Sequence, residues 1–429
     1  MTGDRILSSK PRRSRSLFIV WLVFVIFIAI SFVTNILGPL VPFIISDFHV
    51  SEGVAGTLAL AFFIAYGVFS IPAGFLVESW GEKPLMVVSF IVCTAGALSF
   101  AVTPTYPIAI GSLFAIGAGF AALQVAINPL LRVAGGEENF AYYSAFAQLV
   151  FGAASFVSPH VFTYLLGQLK PGVAHGSAVG LLARLTPPAM PWVSMYWLFA
   201  VVTAVMVAVV AMVRLPKVER NEDESAGTLG MYRDLLRNPV VVMYFLMIFA
   251  YVGCEQGTSF WMSRFLATYH GFNPEVQGAS AVANFWLLMT IGCLAGMVLL
   301  KLFDSRRVLI GFASGAILML TLALFGPANV SLYAFPAVGL FASIMWPTIV
   351  SLALNSVPSH HGPFAGILCS GIMGGAVFPF LIGQLADHVG LRNGMLLLYV
   401  TFGCVLSVGF WARPLINNAL IGERRSAAT

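Results

Sequence analysis

The chain has 429 residues, 59% of them apolar and only 9% charged, with a net charge of +5 and a mean hydropathy of +0.92. Soluble domains carry about 25% charged residues, so this composition excludes a water-covered globule. The cations gather between apolar runs, which makes the basic balance a signal of membrane orientation and argues against nucleic-acid binding.

A polar tail, residues 1–16, leads through "SSKPRRSRS" into "SLFIVWLVFVIFIAISFV". That run is too long for a signal peptide and no small-x-small cleavage site follows it, so a retained first helix is expected. Apolar runs near or above the 18-residue crossing length recur from there onward. They are continuous, without the ten-residue alternation of an outer-membrane barrel. In chain order they predict helices at 17–46, 54–77, 84–103, 107–133, 140–166 and 191–213. A second set follows at 239–267, 276–302, 307–326, 330–356, 363–386 and 391–415. Between the sets lies "RLPKVERNEDESAGTLGMYRDLLRN", residues 214–238, which holds ten of the chain's Asp, Glu, Lys and Arg residues. It reads as a cytoplasmic linker with a short surface helix at "MYRDLLRN". The expected protein is all-α and integral to the membrane, with twelve transmembrane helices in two six-helix halves, 17–213 and 239–415. Residues 416–429 form a second tail. Such a six-plus-six layout is the plan of an alternating-access transporter.

With the N-terminus in the cytoplasm, all but four of the 22 Lys and Arg residues fall on the cytoplasmic side. The exceptions are Lys170, Arg184, Arg264 and Arg392. This asymmetry places both termini inside. Trp21, Trp80 and Trp192 lie near span ends, where aromatic anchors belong. The five cysteines (Cys93, Cys254, Cys293, Cys369 and Cys404) sit within apolar runs and offer neither a disulfide framework nor metal-ligand spacing. No metal, cofactor or nucleophile–base constellation is expected, so the chain does not read as an enzyme.

The turn "GFLVESWGEK" resembles the G-x-L-x-D-x-x-G-x-K loop of the major facilitator superfamily. Gly74, Leu76, Gly81 and Lys83 match, and Glu78 stands for the usual Asp. By the resemblance, Gly74, Glu78, Gly81 and Lys83 belong to a cytoplasmic gate; a solvated turn is the alternative. "GAGFAALQVAINPLL" (117–131), "SIMWPTIVSLAL" (343–354) and "GILCSGIMGGAVFPFLIGQLAD" (366–387) are similar to helices of the fucose–proton symporter branch. That branch includes bacterial glucose/galactose transporters. "NILGPLVPFI" and "YVGCEQGTSFW" resemble its first and seventh helices. The resemblance implies import of a monosaccharide by proton or sodium symport, in the cytoplasmic membrane of a bacterium, by a monomer. Two departures stand out. Asn35 and Gln124 occupy positions that are acidic in the fucose symporter, and amides do not titrate near neutral pH. An ion-independent facilitator is therefore a competing reading. A drug or metabolite exporter of the same fold is another, although "FGAASFVSPHVF" lacks the G-P-x-x-G-G pattern frequent in exporters.

Glu255 is the one acid expected well inside a span. Counting from Val240, it lies about 22 Å along its helix. An acid in hydrocarbon is costly and usually marks a substrate or ion pathway. Glu255 is expected to accept hydrogen bonds from sugar hydroxyls or to take up the coupling proton or sodium ion. Gly253 and Gly257 beside it would allow local unwinding, and Ser259 would share its face while Gln256 points to the neighbouring one. The alternative is a structural carboxylate, although Arg264 stands about 13 Å further up a continuous helix. Sugar sites combine a few polar groups with apolar and aromatic walls. On that basis Asn35, Gln124, Asn128 and Gln148 are candidate ligands in the first half. Glu255, Gln256, Ser259, Trp261, Asn284, Trp286 and Trp346 are candidates in the second. Trp261 and Trp346 are read as stacking residues, and Trp346 replaces a smaller aromatic of the fucose symporter. For each amide, an interhelical hydrogen bond is the alternative role.

Overall fold

The computed structural model describes residues 16–135, 140–170, 176–215, 229–358 and 360–413. The side chains of residues 128, 129, 132, 140–142, 144, 145, 177, 178, 229 and 361 lie outside the described set. Most of both tails and residues 216–228 of the linker also lie outside it.

Twelve helical segments are long and apolar enough to cross a bilayer, from Leu17–Phe48 to Leu391–Trp411. The first is made of α1 (Leu17–Thr34) and α2 (Leu37–Phe48). Then come α3 (Glu52–Trp80), α4 (Glu82–Val102), α5 (Tyr106–Gly135) and α6 (Phe140–Gln168). A short α7 (Ser177–Leu185) precedes α8 (Ser194–Met212), and the linker contributes α9 (Leu229–Leu236). The second set opens with α10 (Pro239–His270), α11 (Ala279–Leu302) and α12 (Ser305–Phe325). Three composite spans follow: α13 (Ala328–Ala342) with α14 (Met345–Leu354), α15 (His361–Ser370) with α16 (Gly374–Val389), and α17 (Leu391–Gly394) with α18 (Leu397–Trp411).

The sequence explains where helices start and break. Ser51 caps α3 by accepting from Val54 N, and Asn238 caps α10 ahead of Pro239. Gly81, at φ +87°, makes the reversal between α3 and α4, a conformation that L side chains avoid. Two interruptions lie four residues before a proline: Asn35 before Pro39, and Ser343 before Pro347. A proline ring clashes with the carbonyl four residues earlier and removes a donor, so the helix breaks there. Side chains of neighbouring helices reach backbone carbonyls near both breaks. Ser343 O, the carbonyl four residues before Pro347, accepts from Cys293 Sγ at 3.2 Å, and near the first break Phe32 O accepts from Ser158 Oγ at 2.6 Å.

Large apolar residues such as Phe18, Val201, Phe325 and Phe410 face outward, as a lipid-facing surface requires. Between helices the contacts rest on small residues, because lipid removes the hydrophobic drive for association. A Cβ on Gly117 would collide with the Phe62 carbonyl, and one on Gly38 with the Ser259 carbonyl. The first six spans meet the last six through α3 on α16, α6 on α11 and α2 on α10. At the tail end, where residue 16 and α9 lie, Tyr232 of α9 sits between Phe75 of α3 and Gly366 of α15. Burial, with the nearby Glu78 charge and Cys369, pushes the Tyr232 phenol pKa upward.

The far end is tightly clasped. Ser51 Oγ donates to Asp387 Oδ2 at 2.7 Å, and Gln384 Nε2 to Gly53 O at 3.0 Å. Arg264 pairs with Glu52 at 3.0 Å, and Lys170 with Glu275 at 2.8 Å. Three of the four cations that defy the charge asymmetry are thereby accounted for, since Arg392 lies 4.6 Å from the Tyr269 ring centroid. Among the anchors, Trp21 and Trp80 are exposed. Trp192 corrects its expectation: it is fully buried, and its Nε1 donates to Asp47 Oδ2 at 2.6 Å. Asp47 needs a donor, and the indole supplies one inside the protein.

Candidate functional site

The break at Asn35 opens a cavity between the two sets of helices. Its walls are Thr34 and Asn35 at the α1–α2 joint, Ala59 and Phe63 of α3, Gln256, Ser259 and Phe260 of α10, and Pro379 of α16, with Leu37 and Gly38 completing them. Asn35 Nδ2 donates to Ser155 Oγ of α6 at 2.8 Å, and Ser155 is bonded in turn to Ser31. This serine rail, with Ser158, holds α1 against α6 and fixes the Asn35 amide. Its Oδ1 has no partner among the described residues and remains available to the cavity. Ser259 Oγ likewise has no partner among the described residues. The cavity offers a few hydrogen-bonding groups between aromatic and aliphatic walls, chemistry that suits a small polar molecule. As the helices pack here, its free space admits only about one water molecule, so a larger ligand enters only when the helices part.

Glu255 lies beside this cavity and not in its wall. Its Oε2 accepts from the Tyr251 hydroxyl one turn earlier, and its Oε1 from Gln256 Nε2 at 2.9 Å. The Tyr251 ring centroid is 6.2 Å from that of Trp346, on α14 just past the break at Ser343. Two charge-neutral donors thus serve the carboxylate, and Arg264 is engaged elsewhere by Glu52. The arrangement leaves Glu255 half-buried without a cationic partner among the described residues. Such an acid is suited to exchanging a proton or holding a small cation.

Several expectations change. Ser259 joins Gln256 at the cavity, whereas Glu255 turns toward Tyr251. Ser259 neighbours both residues on the helix surface, three from one and four from the other, so only packing decides which it accompanies. The glycines beside Glu255 serve contact and not unwinding: α10 runs unbroken, and a Cβ on Gly253 would strike the Phe378 ring. Trp261 is not a stacking residue, being fully buried with Nε1 donating to the Pro379 carbonyl at 2.9 Å. It braces the cavity wall from behind. Trp346 remains half-buried next to Tyr251.

The other candidates stand apart from this cavity. Gln124 is half-buried, with Nε2 3.4 Å from the Tyr66 hydroxyl. Gln148 is exposed on α6, Asn284 half-buried on α11, and Trp286 buried edge-on to Phe285. The Asn128 side chain lies outside the described residues. In the gate loop, Glu78 is exposed and Lys83 half-buried. Among the described residues, no group of three His, Cys, Asp or Glu is placed to hold a metal ion. Sequence reasoning missed Tyr251, although its four-residue spacing from Glu255 was a usable signal. It also missed Phe63, Phe260 and the serine rail, for which no local pattern exists.

The comparisons with known proteins agree with this architecture. Residues 23–368 match the Major Facilitator Superfamily. A glucose/galactose transporter of Brucella abortus is 29% identical over 387 residues, covering 88% of this chain and 90% of that one. The L-fucose-proton symporter of Escherichia coli is 23% identical over 400 residues, covering 87% and 86%. A crystal structure of FucP in the outward conformation superposes with a TM-score of 0.66 at 21% identity, over 92% of this chain and 98% of that one. With a family match over residues 23–368, most of its length, this chain belongs to the major facilitator superfamily.

Proposed function

We propose that the chain is a secondary active transporter that imports a monosaccharide, a hexose or deoxyhexose, by alternating access. It acts as a carrier and not as an enzyme. The observation that carries this reading is the cavity at the Asn35 break, where amide and hydroxyl groups of both halves meet between Phe63 and Phe260. Sugars need hydrogen-bonding groups at their hydroxyls and apolar faces at their C–H surfaces. Relatives named as glucose/galactose and fucose–proton transporters support the same substrate class.

In this reading Glu255 binds the coupling ion, a proton or sodium, because the amides Asn35 and Gln124 cannot titrate. Both termini lie in the cytoplasm of a bacterial cell and the clasped far end faces outside, as the distribution of Lys and Arg favours. The ion-independent facilitator is the second reading, favoured by those same two amides.

The test is counterflow of labelled D-glucose, D-galactose and L-fucose in proteoliposomes, followed by uptake driven by a proton or sodium gradient. Glu255→Gln is expected to keep counterflow and lose gradient-driven accumulation. Accumulation that survives in the variant removes Glu255 as the ion site. Wild type that exchanges sugar but never accumulates it supports the facilitator. Absence of any exchange by wild type rejects sugar transport.

A further inference from the structure

Gln256 stands between the acid and the cavity. Its Nε2 donates to Glu255 Oε1 at 2.9 Å, and the residue lines the cavity together with Asn35 of the other half. A primary amide has one donor end and one acceptor end. The carboxylate claims the donor end, so the Gln256 carbonyl oxygen is the end left for the cavity. Both oxygens of Glu255 accept hydrogen bonds, Oε2 from Tyr251 and Oε1 from Gln256, which is the pattern of an ionised acid.

Protonation changes that pattern. A neutral carboxyl must donate from one oxygen. With the proton on Oε1, Gln256 can keep its bond only by turning its amide over and accepting through its carbonyl. The NH2 group then faces the cavity. Tyr251 cannot pass on such a change, because it is 2% exposed and takes no part in the cavity wall. Among the described residues, the other titratable groups facing Glu255 are the thiols of Cys254 on α10 and Cys293 on α11, with Tyr251. None is a cation that would hold the carboxylate ionised.

We propose that Gln256 transmits the charge state of Glu255 to the sugar cavity by inverting its amide. It offers the sugar an acceptor when Glu255 is ionised and a donor when Glu255 is protonated. Gln256 is thus a positioning residue for coupling as well as part of the wall. The inference rests on the sugar-transport reading and deepens it.

The experiment measures half-saturation of counterflow for the same three labelled sugars, at equal pH on both sides, from mildly acidic to mildly basic conditions. Wild type is expected to change its half-saturation by about tenfold, the scale of one hydrogen bond reversed. Gln256→Met and Gln256→Asn, which cannot make the exchange at that distance, flatten the profile. Glu255→Gln flattens it as well. Tyr251→Phe moves the pH at which the change occurs but keeps its size. A flat wild-type profile overturns the relay, as does a Gln256→Met profile that follows wild type. If both Gln256 variants lose exchange at every pH, Gln256 is an ordinary ligand and the relay is rejected. If wild type exchanges none of the sugars, the transport reading falls first and the relay with it.

Discussion

Arg264 of α10 donates from Nε to Oε1 of Glu52 at the head of α3, 3.0 Å away, and so joins the two halves of the bundle at the far end. Lys170 and Glu275 form the reciprocal pair, with the cation now on the first half and the acid on the second, at 2.8 Å. Opening this end for alternating access must separate both pairs.

Neutralising one partner should therefore favour the open far end. Glu52→Gln leaves Arg264 partly buried without its acid, a loss of about 1–2 kcal/mol between the values for exposed and buried pairs. Spin labels on the far-end turns would show a larger open population, by roughly tenfold at the middle of that range. The double exchange Glu52→Arg with Arg264→Glu should return the distribution toward wild type. An unchanged distribution in the single variant removes the pair as a clasp.

Asn35 is expected to act through two contacts at once. Asn35→Ala removes a cavity acceptor and one of three hydrogen bonds at Ser155, which keeps Ser31 and the Phe151 carbonyl, so sugar affinity should fall by about tenfold, on the scale of one hydrogen bond. Ser155→Ala loosens the amide without removing it and should cost less. Equal affinities in wild type and Asn35→Ala, from equilibrium binding in detergent, would place the ligand elsewhere.

Gly253 faces Phe378 with no room for a side chain. Gly253→Val should overpack this contact and lower stability by about 1–3 kcal/mol. Thermal unfolding in detergent reads the loss, and Phe378→Ala in the same chain should recover part of it. Recovery of nothing would mean that the clash is relieved by another route.

Asp304 caps α12, accepting from Arg306 N at 2.9 Å. Burial alone would raise its carboxyl pKa, but the Arg306 side chain and backbone donors outweigh it and hold the pKa below the ordinary carboxylate value. A depressed folded pKa gives stability that is present above the unfolded value, about 3.9, and is lost as pH falls through the folded one. Asp304→Ala should cost about 1 kcal/mol at neutral pH. That difference should stay constant down to about pH 5 and shrink below about pH 4. A gap that persists in strong acid would show that charge plays no part in the cap.

Much of this molecule was legible from one dimension. The order and number of the spans follow from apolar runs, because hydrocarbon tolerates only backbone that bonds within itself. Glu255 announced itself as an acid without company, whereas the helix breaks at Asn35 and Ser343 went unread within single spans at 17–46 and 330–356, although Pro39 and Pro347 carried the signal. Trp192, Trp261 and Gly253 were misread for a common reason. An indole or a glycine in an apolar run looks the same whether it meets lipid, a ligand or another helix.

The sequence by itself determined the bilayer as solvent, the twelve helices and the presence of an ionisable group among them, since each depends on local composition and length. Only the tertiary structure decided that Glu52 receives Arg264, that Asn35 meets Gln256 across a cavity, and that Tyr251 and not an arginine attends Glu255. Those relations join residues up to hundreds of positions apart. They depend on which helix faces pack, and in a membrane that is set by close fit and hydrogen bonding and not by hydrophobic pattern.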